Sequence, residues 1–205
     1  MTSIERVFLI RHGQTDWNLD GRWQGVLPVG LNNEGHLQAR ELANYLSARP
    51  IKTIVSSDIP RAFDTAKAIG DVLSVTVQTD ERLREFNLGI FQGLTRDQIA
   101  ERYPQEWQGF RADYWNYVVQ QGESRRDLQN RAYAAWHSIL QEAIGPEVAI
   151  VSHGGTIRML LFRLFEDVPG LNEIHIENTS LTTIERQGDS WHLAEIAAVP
   201  HLLTR

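Results

Sequence analysis

Short runs of consecutive apolar residues alternate along this chain with segments whose apolar positions recur at three- and four-residue spacing. The first run, Val7-Phe8-Leu9-Ile10, predicts a buried strand over 6–11, followed by a polar, glycine-punctuated loop through Gly30. Ala39, Leu42, Ala43 and Leu46 then share one face of a helix that starts at about Asn33 and stops before Pro50. A strand over 52–56, a helix over 61–72 and a strand over 75–79 complete a β-α-β-α-β series, which predicts an α/β fold with a mostly parallel sheet.

The middle of the chain is more helical and more aromatic. Thr95 and Gln98 have the spacing of a capping box. Residues 104–119 carry Trp107, Phe110, Tyr114, Trp115 and Tyr117, a stripe that either fills a core or shapes a pocket as a lid. Leu128, Ala132, Ala135, Trp136, Ile139, Leu140 and Ala143 mark one apolar stripe of a helix over 124–143, stopped by Gly145-Pro146. A strand over 148–151, a helix over about 156–165 and strands over 173–176, 181–186 and 191–196 follow. No repeat or linker interrupts the series, so one domain over 1–205 is expected, with 95–122 as a helical, aromatic, lid-like insertion.

Composition narrows the classes of function. Apolar residues make up 42% and charged residues 22% of the chain, as in ordinary globular proteins. The net charge of −6 argues against a nucleic-acid partner or an acidic membrane surface. With no cysteine there is no disulfide framework, thiolate nucleophile or zinc–cysteine cluster. The longest apolar runs are far shorter than the roughly 20 residues that cross a bilayer, and no basic-then-apolar leader opens the chain; a cytoplasmic protein is expected.

The candidate chemistry sits at strand ends. His12 follows the first strand, and His153 follows the strand over 148–151, so both imidazoles are expected in the crevice beyond the carboxyl edge of the sheet. Arg11 and Arg61 flank the same edge, and two arginines with two histidines suit a compact, highly charged anion, best of all phosphate. A neutral imidazole can attack phosphorus and carry the phosphoryl group while cations hold the equatorial oxygens, with no metal or cofactor required. Glu85, beside the glycine-bearing stretch through Gly89, is a candidate to protonate the leaving oxygen and then activate water; the alternative is a surface carboxylate paired with Arg82 or Arg84. No HExxH helix, P-loop or dinucleotide-binding glycine pattern is present. Asn178-Thr179-Ser180 matches a glycosylation acceptor by coincidence.

These residues lie in longer stretches. Leu9-Ile10-Arg11-His12-Gly13-Gln14-Thr15-Asp16-Trp17-Asn18 resembles the signature of the histidine phosphatase superfamily, the phosphoglycerate mutase-like family that also contains small phosphatases. Leu31-Asn32-Asn33-Glu34-Gly35, Ser56-Ser57-Asp58-Ile59-Pro60-Arg61-Ala62, Leu83-Arg84-Glu85, Gly122-Glu123-Ser124 and Val151-Ser152-His153-Gly154-Gly155 follow in the family's order and span nearly the whole chain. The resemblance implies a three-layer α/β/α fold around a mixed, mostly parallel sheet. It implies that His12 is the phosphorylated nucleophile, that Arg11, Arg61 and His153 bind the transferring phosphoryl group, and that Glu85 is the proton donor. Asn18, Gln24 and Gly25 match positions that contact phosphate or substrate, and Gly154 is an amide donor at the rim.

Within that family the short stretch from Glu85 to Gly122 favours a phosphomonoesterase of the small phosphatase branch, acting on a small-molecule phosphomonoester, over a phosphoglycerate mutase. A phosphate-binding regulator without turnover is the alternative of another class. Arg125-Arg126 is either solvated or a carboxylate contact, and His201-Leu202 resembles a terminal pair found in several members.

Overall fold

The computed structural model describes residues 4–165, 168, 170, 171 and 173–203. Strand β1 (Arg6–Arg11) leads into the long loop, which contains a single helical turn, α1 (Asp16–Leu19). Helix α2 (Asn33–Leu46), strand β2 (Ile51–Ser56), helix α3 (Pro60–Leu73) and strand β3 (Val77–Thr79) follow. Beyond two 3-10 turns come α4 (Arg96–Arg102), α5 (Pro104–Ala112), α6 (Arg125–Glu142), β4 (Glu147–Ser152), α7 (Gly154–Leu164), β5 (Leu181–Gln187) and β6 (Ser190–Ala198).

The six strands form one sheet in the order β3-β2-β4-β1-β5-β6; the first four pair in parallel, and β5 runs antiparallel to both of its neighbours, β1 and β6. Alternation along β1 explains the layers. Val7 and Leu9 face a core shared with Trp136 and Ile139 of α6 and Ile157 and Leu161 of α7, whereas Phe8 and Ile10 face Leu42 and Leu46 of α2 and Ala62 and Ile69 of α3. A third cluster, including Phe86, Phe91, Ile99, Phe110, Val119 and Leu128, lies to one side, with Trp23 and Trp107 packed against it.

Three local outcomes differ from the sequence pattern. The expected strand over 173–176 is irregular chain: the Leu171 and Ile174 carbonyls accept from Arg158 and the Ile176 carbonyl from Arg11, so arginines take groups that a ladder would use. β3 starts at Val77 rather than 75, because Ser74 is left-handed (φ 56°) and the Val75 N–H closes the end of α3 on Gly70. α7 starts two residues early, at Gly154, and its second residue, Gly155, leaves no room for a side chain beside the site described next.

Candidate active site

The parallel pairing of β1 with β4 sets Arg11 opposite Ser152, so the residues that follow, His12 and His153, emerge together at the carboxyl edge. Their ring centroids are 5.2 Å apart. His12 Nδ1 lies 2.7 Å from the Gly13 carbonyl oxygen, which only accepts, so that nitrogen carries the proton and Nε2 keeps its lone pair. Nε2 accepts from Arg61 Nε at 3.2 Å. Burial, then the guanidiniums of Arg61 and Arg11, hold His12 well below the ordinary imidazole pKa. The ring is therefore neutral near pH 7, with its basic nitrogen turned towards a cation.

Arg61, in the first turn of α3, is fully buried and fixed by donating Nη1 to the Leu27 carbonyl at 3.0 Å and Nη2 to Gly25 at 2.7 Å. Burial and Arg11 lower its pKa to about 10 against the pull of Glu85, leaving it charged at neutral pH. Arg11 donates one Nη to Ile176, while its buried Nε has no partner. On His153, Nε2 lies 2.9 Å from Ser57 Oγ, which itself accepts from the Ile59 N–H, and the other ring nitrogen is Nδ1. That buried Nδ1 also lacks a partner. His153 is held well below the ordinary imidazole pKa by burial and by Arg61. An orphaned guanidinium N–H, an orphaned imidazole nitrogen and two buried arginines around a neutral nucleophilic nitrogen are the complement of an anion.

Glu85 pairs with neither Arg82 nor Arg84, which bind Asp80 and Asp58. Its Oε1 accepts from the Phe86 N–H at 2.8 Å and from Thr156 Oγ1 at 3.3 Å, and its Oε2 accepts from the Gly155 N–H at 3.1 Å. A Cβ on Gly155 would stand 2.5 Å from Glu85 Oε1, so the second residue of α7 is held to glycine. Arg131 of α6 ties the backbone down by donating to the carbonyls of Arg82, Arg84 and Glu85 at 2.8, 2.6 and 2.9 Å while pairing with Glu123.

Asn18, Gln24 and Gly25 also reach the cavity, about 470 Å³ in volume, that Arg11, His12, Arg61 and Glu85 line. Asn18 spends its Oδ1 on the Thr15 N–H at 3.0 Å, and the buried Gln24 Oε1 has no partner. Gly154 lies against Arg11, but it is Gly155 that forms the wall. The aromatic segment is mostly packing. Trp107 stacks with Phe110 and meets Trp23 edge-on, and Phe110 is its contribution to the cavity wall. Arg125 lines the cavity too, whereas Arg126 lies exposed over Trp115.

Several residues support the site through roles that the sequence pattern does not display. The Asn178 Nδ2 donates to the His12 carbonyl at 3.0 Å, and the Thr179 N–H to the Arg11 and His12 carbonyls at 3.0 and 3.2 Å, from a left-handed backbone (φ 57°). Asn178 therefore serves as an internal clamp. His201 is buried, with Nε2 3.0 Å from Thr179 Oγ1, so it supports the same turn. Gly13 is also steric: a Cβ there would stand 2.6 Å from the Gly35 carbonyl, where the loop crosses the start of α2.

Residues 7–198 match the family described as Histidine phosphatase superfamily (branch 1). The chain belongs to this superfamily. It is 34% identical over 200 residues to "Phosphoglycerate mutase-like protein 4" of Arabidopsis thaliana, covering 96% of this chain and 86% of that protein. It is 37% identical over 164 residues to "Glucosyl-3-phosphoglycerate phosphatase" of Mycolicibacterium vanbaalenii (77% and 72%). Among solved structures, a mycobacterial glucosyl-3-phosphoglycerate phosphatase in complex with VO3 superposes with a TM-score of 0.82 at 34% identity, covering 95% of this chain and 99% of that one. The superfamily thus brings this chain among both phosphatases and mutases. Among the described residues no helix is long and apolar enough to cross a membrane.

Proposed function

We propose that this protein is a phosphomonoester hydrolase working through a phosphohistidine on His12. The observation that carries the reading is the neutral His12 Nε2 set among Arg61 and the unpartnered buried nitrogens Arg11 Nε and His153 Nδ1. His12 Nε2 forms the N–P bond as the P–O ester bond breaks, and the carboxyl proton of Glu85 goes to the leaving oxygen. Arg11, Arg61 and His153 hold the equatorial oxygens, where charge accumulates. Asn18, Gln24, Gly25 and, in place of Gly154, Gly155 complete the binding surface. Water then attacks phosphorus, its proton passes to the Glu85 carboxylate, the N–P bond breaks, and neutral His12 returns with inorganic phosphate. No metal or cofactor enters this scheme.

The nearness of mutase-like relatives keeps phosphoryl return to a second hydroxyl as the other reading of the same covalent step. The test is phosphate release in EDTA from an aryl phosphate, phosphoserine, 3-phosphoglycerate, sugar phosphates and α-ribazole phosphate, with His12→Ala as control. Release by the unaltered protein alone supports hydrolysis. Interconversion of 3- and 2-phosphoglycerate with a bisphosphoglycerate primer, without net release, replaces it by a mutase; retained activity in His12→Ala overturns both.

A further inference from the structure

Arg61 is the cation set directly against His12, and its own orientation comes from one turn of the long loop. Nε donates to His12 Nε2 at 3.2 Å, Nη1 to the Leu27 carbonyl at 3.0 Å and Nη2 to the Gly25 carbonyl at 2.7 Å. A guanidinium carries five N–H donors in a rigid fork, so two remain for an anion, and the two carbonyls decide where they point. Arg61 is therefore only as well placed as residues 24–27.

That turn is held from a distant part of the chain. The Leu27 N–H donates to the Gln24 carbonyl at 3.1 Å, with Gly25 left-handed (φ 52°) between them. The Val26 N–H donates to Gln92 Oε1 at 2.7 Å. A backbone N–H only donates, so the amide oxygen of Gln92 and not its nitrogen must face the turn. The approach is close: a Cβ on Gly25 would stand 2.1 Å from Gln92 Oε1. Gln92 itself follows the second 3-10 turn (Gly89–Phe91), which Phe91 anchors in the aromatic cluster. Beside it the Gly93 N–H donates to the Trp23 carbonyl at 2.8 Å and the Trp23 N–H to the Leu94 carbonyl at 2.9 Å. Those backbone bonds fix the loop as far as Trp23, whereas Gln92 reaches the residue between the two carbonyls that hold Arg61. Gln92 does not line the cavity, so whatever it does for the chemistry passes through this turn.

We propose that Gln92 is a positioning residue for phosphoryl transfer: by holding the Val26 N–H it fixes the Gly25 and Leu27 carbonyls that aim Arg61 at His12 and at the phosphoryl oxygens. This rests on the reading of His12 as the nucleophile. Gln92→Met keeps the length of the side chain and loses the acceptor, and it should lower kcat/KM on p-nitrophenyl phosphate by about 10- to 100-fold. Gln92→Glu keeps an acceptor oxygen and should recover most of that rate. Ile99→Val trims the same aromatic cluster without touching the clip and should leave the rate unchanged. A loosened Arg61 depresses the His12 imidazole less, so an NMR titration of that ring should move upward in Gln92→Met but not in Ile99→Val. Calorimetry with inorganic phosphate should show binding weakened by about tenfold in Gln92→Met. An unmoved His12 titration in Gln92→Met overturns the proposal, as does a rate loss that Ile99→Val matches or that Gln92→Glu fails to recover. Should Gln92→Met not fold, Gln92→Asn, whose oxygen falls short of Val26, is read by the same criteria. If the unaltered protein releases no phosphate, the hydrolase reading fails by itself, and the titration and the phosphate Kd, which need no turnover, still decide the role of Gln92.

Discussion

At His12 the two ring nitrogens are given different work by their neighbours. The Gly13 carbonyl fixes the proton on Nδ1, and burial together with Arg61 and Arg11 keeps Nε2 unprotonated. Because the ring's pKa lies well below 6.5, the acid limb of kcat/KM set by this nucleophile should fall well below pH 6.5, as a pH–rate profile on p-nitrophenyl phosphate will show; a limb at or above 6.5 contradicts the assignment. Glu85→Gln should slow alkyl phosphates by about 100-fold or more while leaving activated aryl phosphates much less affected, since alkoxides need the proton most. Similar losses on both place the acid elsewhere. Histidines and arginines at strand ends made these residues legible in the sequence. Asn178, Thr179 and Ser57 were not, because they act by orienting a carbonyl or a ring nitrogen, and such work leaves no chemical signature in a sequence.

At the scale of elements, the site is built where α7 begins. Gly155 gives Glu85 both an N–H and room, so Gly155→Ala should push the carboxylate aside and lower kcat on alkyl phosphates by about tenfold or more, with aryl phosphates spared. Steady-state kinetics on the two substrate classes measures this, and an unchanged alkyl rate would show that the contact is dispensable. The strand and helix series was readable because β1, β2 and β4 are apolar runs and α2, α3 and α6 carry an apolar stripe. Residues 173–176 read as a strand from four alternating residues, but Arg158 and Arg11 claim nearby carbonyls, a tertiary competition no local pattern contains. The role of Arg131 is hidden from local pattern for the same reason, since its carbonyl partners lie 46–49 residues earlier.

For the whole molecule, the buried site is a liability in acid. His12 and His153 are both held well below the pKa of 6.5 that they regain on unfolding, so their contribution to stability is intact above pH 6.5. As pH falls below 6.5 the unfolded chain takes up protons that the folded one refuses, at about 1.4 kcal/mol per pH unit for each ring, until the folded pKa values are reached. Asp58, Asp80 and Asp127, whose carboxyls are lowered from 3.8, add their losses only below about pH 4. Urea unfolding at pH 7.5 and 5.5 should show the drop, and His12→Asn should reduce it; equal stabilities at the two values contradict buried neutral rings. The central claim is covalent, and rapid quench with p-nitrophenyl [32P]phosphate in EDTA tests it most directly. An acid-labile, alkali-stable label that maps to His12, forms before phosphate is released and is absent from His12→Ala is the predicted result. Phosphate release without label on His12, or its abolition by EDTA, would contradict the account.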